Sequence, residues 1–260
     1  MRMSAVVLCR HAQSPGVDAT SGLTATGASQ AAELALFIQQ STGTDIAASG
    51  LPPVTRVCAS TFVRAVDTAA PLAAALNLTV EQSSALCEWD LPRLDGDGWE
   101  EQMHALLDAI NSSTTTDVPS EDRPGAVARI AFAVADGLAG KGTAVLVSHG
   151  KLLALWLGEQ LGVPPSRLWI HLENVCALVV RPPVASDTGP IISMLRGSPE
   201  LGALVRAGAA QPQRLFAVEH AALRDEDAAF AFEVEYFRGT AGGEESVAEM
   251  RAAWSAPDSW

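Results

Sequence analysis

Basic residues are scarce in this chain. Its 260 residues carry 17 Lys and Arg against 30 Asp and Glu, a formal net charge of −13, and the cations never gather into a run. Nucleic acid and anionic membrane surfaces are thereby excluded as main partners, because both need clustered cations to neutralise phosphates. Cysteine is sparse as well. Cys9, Cys58, Cys87 and Cys176 share no paired spacing and stand in apolar, strand-like contexts, so buried reduced thiols and a cytosolic protein are expected. No apolar stretch is long enough to span a bilayer, and Met1 to Leu8 is too short for a secretory signal. Metal-ligand spacing is missing too: His104, His171 and His220 bear none to one another or to the cysteines, and no metal or cofactor is expected. Gly140-Lys141-Gly142-Thr143 precedes a strand instead of following one and lacks the Lys-Ser/Thr pair of a phosphate-binding loop. Ser148 has Leu146 where a nucleophile elbow requires glycine.

What is present is a hydrophobic content of 48%, enough for one sizeable α/β core, and a repeated arrangement of apolar strand followed by chemistry. The run Ala5-Val6-Val7-Leu8 ends in Cys9-Arg10-His11. A strand buried on both faces reads as a short continuous apolar run, and ligands of open parallel sheets sit beyond the carboxyl ends of such strands. The run Val54 to Ala59 leads to Ser60, expected to cap a helix through Leu76, with Arg64 in its first turns near the positive end of the dipole. Thr143 to Val147 delivers Ser148-His149, and Gly150 permits close backbone approach as a helix to Leu161 begins. Leu86-Cys87-Glu88-Trp89-Asp90 offers a carboxylic acid among apolar neighbours, a setting expected to keep Glu88 protonated for delivery to a leaving group. Trp89 and Trp99 are expected in the core more than in a pocket wall.

Between these segments, Ala31, Leu34, Ala35 and Ile38 recur at helical spacing within about residues 26–40. Further expectations are a short strand at 78–81, a helix near 100–110, a Thr-rich linker at 111–119, a helix at 126–138, and strands at 172–181 and 191–195.

Four of these segments resemble the histidine phosphatase superfamily, the phosphoglycerate mutase-like enzymes. Leu8 to Ser14 is similar to the Arg-His-Gly signature, Leu23-Thr24-Ala25-Thr26-Gly27-Ala28-Ser29-Gln30-Ala31 to a Leu-Thr-x-x-Gly-x-x-Gln-Ala segment, Ser60 to Ala69 to a Ser-x-x-x-Arg-Ala-x-x-Thr-Ala segment, and Ser148-His149-Gly150 to the second histidine. The resemblance covers about residues 4–196. It implies a three-layer α/β/α sandwich with a mostly parallel sheet, and a phosphohistidine formed on His11. Arg10, Arg64 and His149 would hold phosphate, Glu88 would be the proton donor, and Gln13, Ser14, Thr24 and Gly150 would be further phosphate contacts. The implied enzyme is a histidine acid phosphatase-like phosphomonoesterase needing no metal, with a phosphorylated small molecule or phosphoprotein as substrate. A phosphoglycerate mutase-type phosphotransferase and a catalytically silent phospho-ligand binder are the alternatives.

Departures from the pattern sharpen this reading. Ala12 replaces the signature glycine, and Val17 stands where many relatives place a phosphate-facing asparagine, which implies one hydrogen bond fewer. Residues 89–99 contain one arginine and three aspartates, whereas the mutases keep a basic, tyrosine-containing stretch there for a second phosphate. That favours a phosphatase. Beyond 1–198, residues 199–260 form a C-terminal extension outside the resemblance. Phe230, Phe232, Val234 and Tyr236 alternate as in a half-buried strand that Leu215 to Val218 could pair with, and Val247, Met250 and Trp254 share a helix face. Packing on the core is the expected role, and a lid, a homodimer contact or a partner surface is the alternative.

Overall fold

A computed structural model describes residues 4–43, 50–89, 109–111, 121–183 and 189–210. Asp90, Trp99, His104, His220, the linker at 112–119 and the expected strands and helix beyond residue 210 lie outside the described residues.

The apolar runs form strands where the sequence places them: β1 (Ser4–Arg10), β2 (Val54–Ala59) and β4 (Gly142–Ser148). With β3 (Val80–Gln82), β5 (Ala177–Arg181) and β6 (Ile191–Arg196) they make one sheet in the order β3-β2-β4-β1-β5-β6. The first four strands in that order pair in parallel, and β5 joins antiparallel to both β1 and β6. Strand side chains alternate between two layers. Val6 and Leu8 of β1 enter one core with Ala144 and Leu146, while Ala5, Val7 and Cys9 enter the other with Val145 and Val147.

Helices cover both faces, as parallel strands require. α1 (Ala25–Ser41) and α2 (Val63–Ala75) bury Leu34, Ile38, Ala69 and Leu72 on one face. On the other lie α3 (Arg123–Ala139), α4 (Gly150–Leu161), α5 (Pro165–His171) and α6 (Pro199–Ala210). The fold is the expected three-layer α/β/α sandwich. α6, which opens the segment beyond residue 198, buries Leu201 and Val205 in the core that holds Val6 and Leu8. Among the described residues no helix is long and apolar enough to cross a membrane.

Three local expectations change. The strand expected at 172–181 begins five residues later, because Leu172 to Cys176 form a turn in which Leu172, Val175 and Cys176 are buried and Val175 takes φ 55°, a costly conformation for a β-branched residue. α5 occupies the stretch just before it. Ser60 does not cap α2: the capping position is Phe62, and the Ser60 hydroxyl accepts from the Phe62 N–H at 3.1 Å. Finally, all four cysteines are free thiols, but only Cys9, Cys58 and Cys176 are buried. Burial pushes the Cys58 and Cys176 thiols up to about 11, whereas Cys87 is half-buried with its Sγ 3.1 Å from Thr61 Oγ1.

Candidate active site

The register of the central strands brings the two histidines together. Arg10 aligns with Ser148 across the β1–β4 pair, and the His11 N–H extends that ladder to the Ser148 carbonyl at 2.9 Å. His11 and His149 thus leave neighbouring strands at the same level, with ring centroids 5.0 Å apart. Arg10, the last residue of β1, is buried. Its NH1 donates to the Leu172 carbonyl, and its backbone N–H to the Cys176 carbonyl at 3.2 Å. The turn containing Val175 therefore supplies both acceptors. Gly150 makes room beside them, since a Cβ there would lie 3.3 Å from Arg10 Nε and 3.2 Å from the Trp169 ring.

Arg64, in the first turn of α2, is the hub. Its Nε donates to His11 Nε2 at 3.2 Å, its NH2 to His149 Nδ1 at 3.3 Å, and its NH1 to the carbonyls of Val17 at 3.0 Å and Asp18 at 2.8 Å. Val17 thus offers its carbonyl to Arg64 while the residue as a whole is 65% exposed. The guanidinium also lies over the Phe62 ring, 4.9 Å from its centroid, and that ring stands edge-on to His149. Phe62 is part of the wall, although nothing in its sequence context marks it out.

These partners assign both tautomers. The Ala12 carbonyl, 2.7 Å away, can only accept, so His11 Nδ1 carries the hydrogen and Nε2 presents a lone pair. A guanidinium can only donate, so His149 Nδ1 accepts and Nε2 carries the hydrogen. That buried Nε2–H has no hydrogen-bond partner among the described residues. Both imidazoles are held neutral: burial first, then the neighbouring imidazole and the Arg10 and Arg64 charges, depress His11 well below the ordinary histidine value. Burial, Arg64 and Arg10 do the same to His149.

The loop after His11 is clamped. The Ala12 N–H donates to Thr68 Oγ1 at 2.9 Å, and that hydroxyl donates to the Arg64 carbonyl at 2.7 Å. The Ala12 methyl joins the α1–α2 core. Gln13, Ser14 and Thr24 shape the following turn. Thr24 caps α1, accepting from the Gly27 N–H at 2.9 Å and donating to Gln13 Oε1 at 2.8 Å, while Ser14 Oγ donates to the Gly22 carbonyl at 2.8 Å. A Cβ at Gly27 would fall 2.0 Å from the Gln13 carbonyl oxygen, so only glycine fits.

Glu88 occupies a different setting from the apolar one expected. His149 is the capping residue of α4 but turns its ring into the site, and the distant Glu88 carboxyl satisfies the exposed helix N–H groups instead. Its Oε1 accepts from Leu152 N–H at 3.0 Å and Trp89 N–H at 2.9 Å, and its Oε2 from Lys151 N–H at 3.3 Å. The carboxyl is thereby fixed at the N-terminus of α4, the helix that His149 opens. Trp89 is fully buried, as expected.

A family model described as the histidine phosphatase superfamily (branch 1) matches residues 6–183. A search of curated proteins gives no match. Among solved structures, the chain is similar to a phosphoserine phosphatase mutant from Entamoeba histolytica in complex with phosphoserine, at 16% identity and a TM-score of 0.56 over 76% of this chain and 98% of that one. A protein titled mycobacterial hydrolase 2 aligns at 21% identity and a TM-score of 0.56 over 81% of this chain and 98% of that one. A mycobacterial glucosyl-3-phosphoglycerate phosphatase with inorganic phosphate aligns at 22% identity and a TM-score of 0.53, covering 68% and 89%.

Proposed function

The chain belongs to the histidine phosphatase superfamily, branch 1, and on that footing we propose that it is a metal-independent phosphomonoester hydrolase working through a phosphohistidine on His11. The observation that carries the proposal is the pair of neutral imidazoles among guanidinium groups: a lone pair on His11 Nε2, an N–H on His149 Nε2, and Arg64 bonded to both rings. An attacking nitrogen, a neutral donor and permanently charged planar donors are what in-line phosphoryl transfer needs around its equatorial oxygens.

In the first step the Arg64 Nε–H hydrogen bond passes from His11 Nε2 to a phosphoryl oxygen, and the freed Nε2 lone pair forms a bond to phosphorus as the ester P–O bond breaks. The leaving oxygen takes a proton from Glu88. Its Oε1 already accepts two N–H bonds, whereas Oε2 accepts one and so has capacity to carry that proton. In the second step water attacks phosphorus, gives its proton to Glu88, and the P–N bond breaks to release phosphate and restore neutral His11. Arg10, Arg64 and His149 hold the transferring oxygens, with Gly150 letting Arg10 approach. Gln13, Ser14 and Thr24 act by shaping the loop that positions His11. The substrate is a phosphorylated small molecule or phosphoprotein, and four free thiols support a reducing, cytosolic setting.

The test is acid quench of turnover with labelled substrate. Wild-type protein should carry acid-labile label mapping to His11, H11A should lose turnover by roughly 10⁴-fold or more, and a chelator should leave the wild type active. Substantial turnover by H11A, or chelator inhibition reversed by added metal, overturns the reading.

A further inference from the structure

Residues 85–88 make no strand and barely one turn of 3₁₀ helix (Ser84–Leu86), so their carbonyls must find donors elsewhere. The Leu86 carbonyl takes the Ser148 hydroxyl at 2.8 Å. The other three converge on one side chain. Arg129 of α3 donates through NH1 to the carbonyls of Ala85 at 3.0 Å and Cys87 at 2.6 Å, and through NH2 to that of Glu88 at 3.4 Å. The remaining edge of the guanidinium meets Glu121, whose carboxylate oxygens lie 2.7 and 2.9 Å from Nε. Glu121 closes the circuit, because its own carbonyl accepts the Trp89 indole N–H at 3.3 Å. Both charged side chains are shielded, 19% exposed for Arg129 and 26% for Glu121. A bond network of this kind is stronger and better directed than an exposed ion pair.

We propose that Arg129 is a positioning residue for the proton donor. By gathering the carbonyls of Ala85, Cys87 and Glu88 it fixes the backbone from which the Glu88 carboxyl reaches the N-terminus of α4, and so sets where the proton is delivered. The inference rests on Glu88 being the acid. A planar guanidinium is required, because one ammonium cannot serve three carbonyls and a carboxylate at once.

The experiment compares an alkyl phosphate, whose leaving group needs a proton, with nitrophenyl phosphate, whose leaving group does not. R129M should lower kcat on the alkyl ester by about tenfold or more with little change in KM, and lower it on the nitrophenyl ester by less than about threefold. R129K should behave like R129M. In the E88Q background, R129M should add less than about threefold on the alkyl ester, because residues acting as one unit are not additive. E121Q keeps every carbonyl contact and should show a smaller loss in the same direction, giving the same reading where R129M does not fold. Equal slowing of both esters by R129M, or by E121Q where R129M does not fold, overturns the inference, as does full additivity with E88Q. If E88Q itself slows both esters equally, the acid assignment falls and this inference with it; selective E88Q beside unselective R129M overturns this inference alone.

Discussion

The histidine–arginine half of the candidate site and the Glu88 half are held by opposite means. Arg10, His11 and His149 stand at the ends of neighbouring parallel strands, and Arg64 reaches them from the start of a helix, so the sheet itself sets their positions. Glu88 comes from an irregular turn whose backbone is tied down by side chains remote in sequence, Ser148 and Arg129. A rigid element supplies position without extra residues, whereas a turn acquires it only through partners that satisfy its carbonyls.

The strongest way to break that comparison is at Glu88, the proposed acid. E88Q should slow alkyl phosphate hydrolysis by about a hundred- to ten-thousand-fold, with far less effect on nitrophenyl phosphate, measured as the ratio of kcat values for the two esters. Equal loss on both would make Glu88 a helix cap alone. On the other half, R64K removes the fork that joins His11, His149 and the carbonyls of Val17 and Asp18. Turnover of both esters should fall together, by about 10²- to 10³-fold, and a loss confined to one ester would erase the distinction between the halves.

A smaller effect is expected where the His11 loop meets α2. T68V leaves the Ala12 N–H without its acceptor and should cost about 1–3 kcal/mol of unfolding free energy, read by denaturant titration, while T68S should restore it. Smallest is the pH dependence of stability. His149 is depressed below its ordinary value of 6.5 in the folded protein, so the unfolded chain binds more protons below that pH. Stability from this group is therefore full above about pH 6.5 and declines as the pH falls below it. The thermal midpoint should drop less between pH 7 and pH 5 in H149Q than in the wild type, and identical slopes would contradict the depressed state.

Sequence reading served the two halves unequally for the same reason. β1, β2 and β4 are buried on both faces, so unbroken apolar runs reveal them, and the residues that follow each run are where the parallel sheet presents chemistry. Val54–Ala59 appears in the structure with the bounds its apolar run suggests. The buried residues of the 172–176 turn mimic a strand, because Leu172 and Val175 are apolar and covered without being paired in the sheet, so the apolar pattern starts five residues before the strand does. Expecting an apolar surrounding for Glu88 failed because its neighbours in sequence are not its neighbours in space: the backbone N–H groups of Lys151 and Leu152 meet it instead. Arg129 stands three residues after buried Ala126 and one before buried Ile130. Helical spacing puts it at the edge of the buried stripe, a signal for a charge with a specific partner, but it names no partner.

Register has a further consequence for how the protein can be followed. His11 and His149 each come directly after the aligned pair Arg10 and Ser148, and the same alignment sorts Val6 with Ala144 into one core and Val7 with Val145 into the other. A slip of one residue would exchange the two cores and send the imidazoles to different layers. Molecules that turn over substrate and molecules with the native sheet are thus one population. In a refolding time course, recovered turnover counts correctly paired chains, and a compact species with a slipped β1–β4 pair would be visible as regained secondary structure without regained activity.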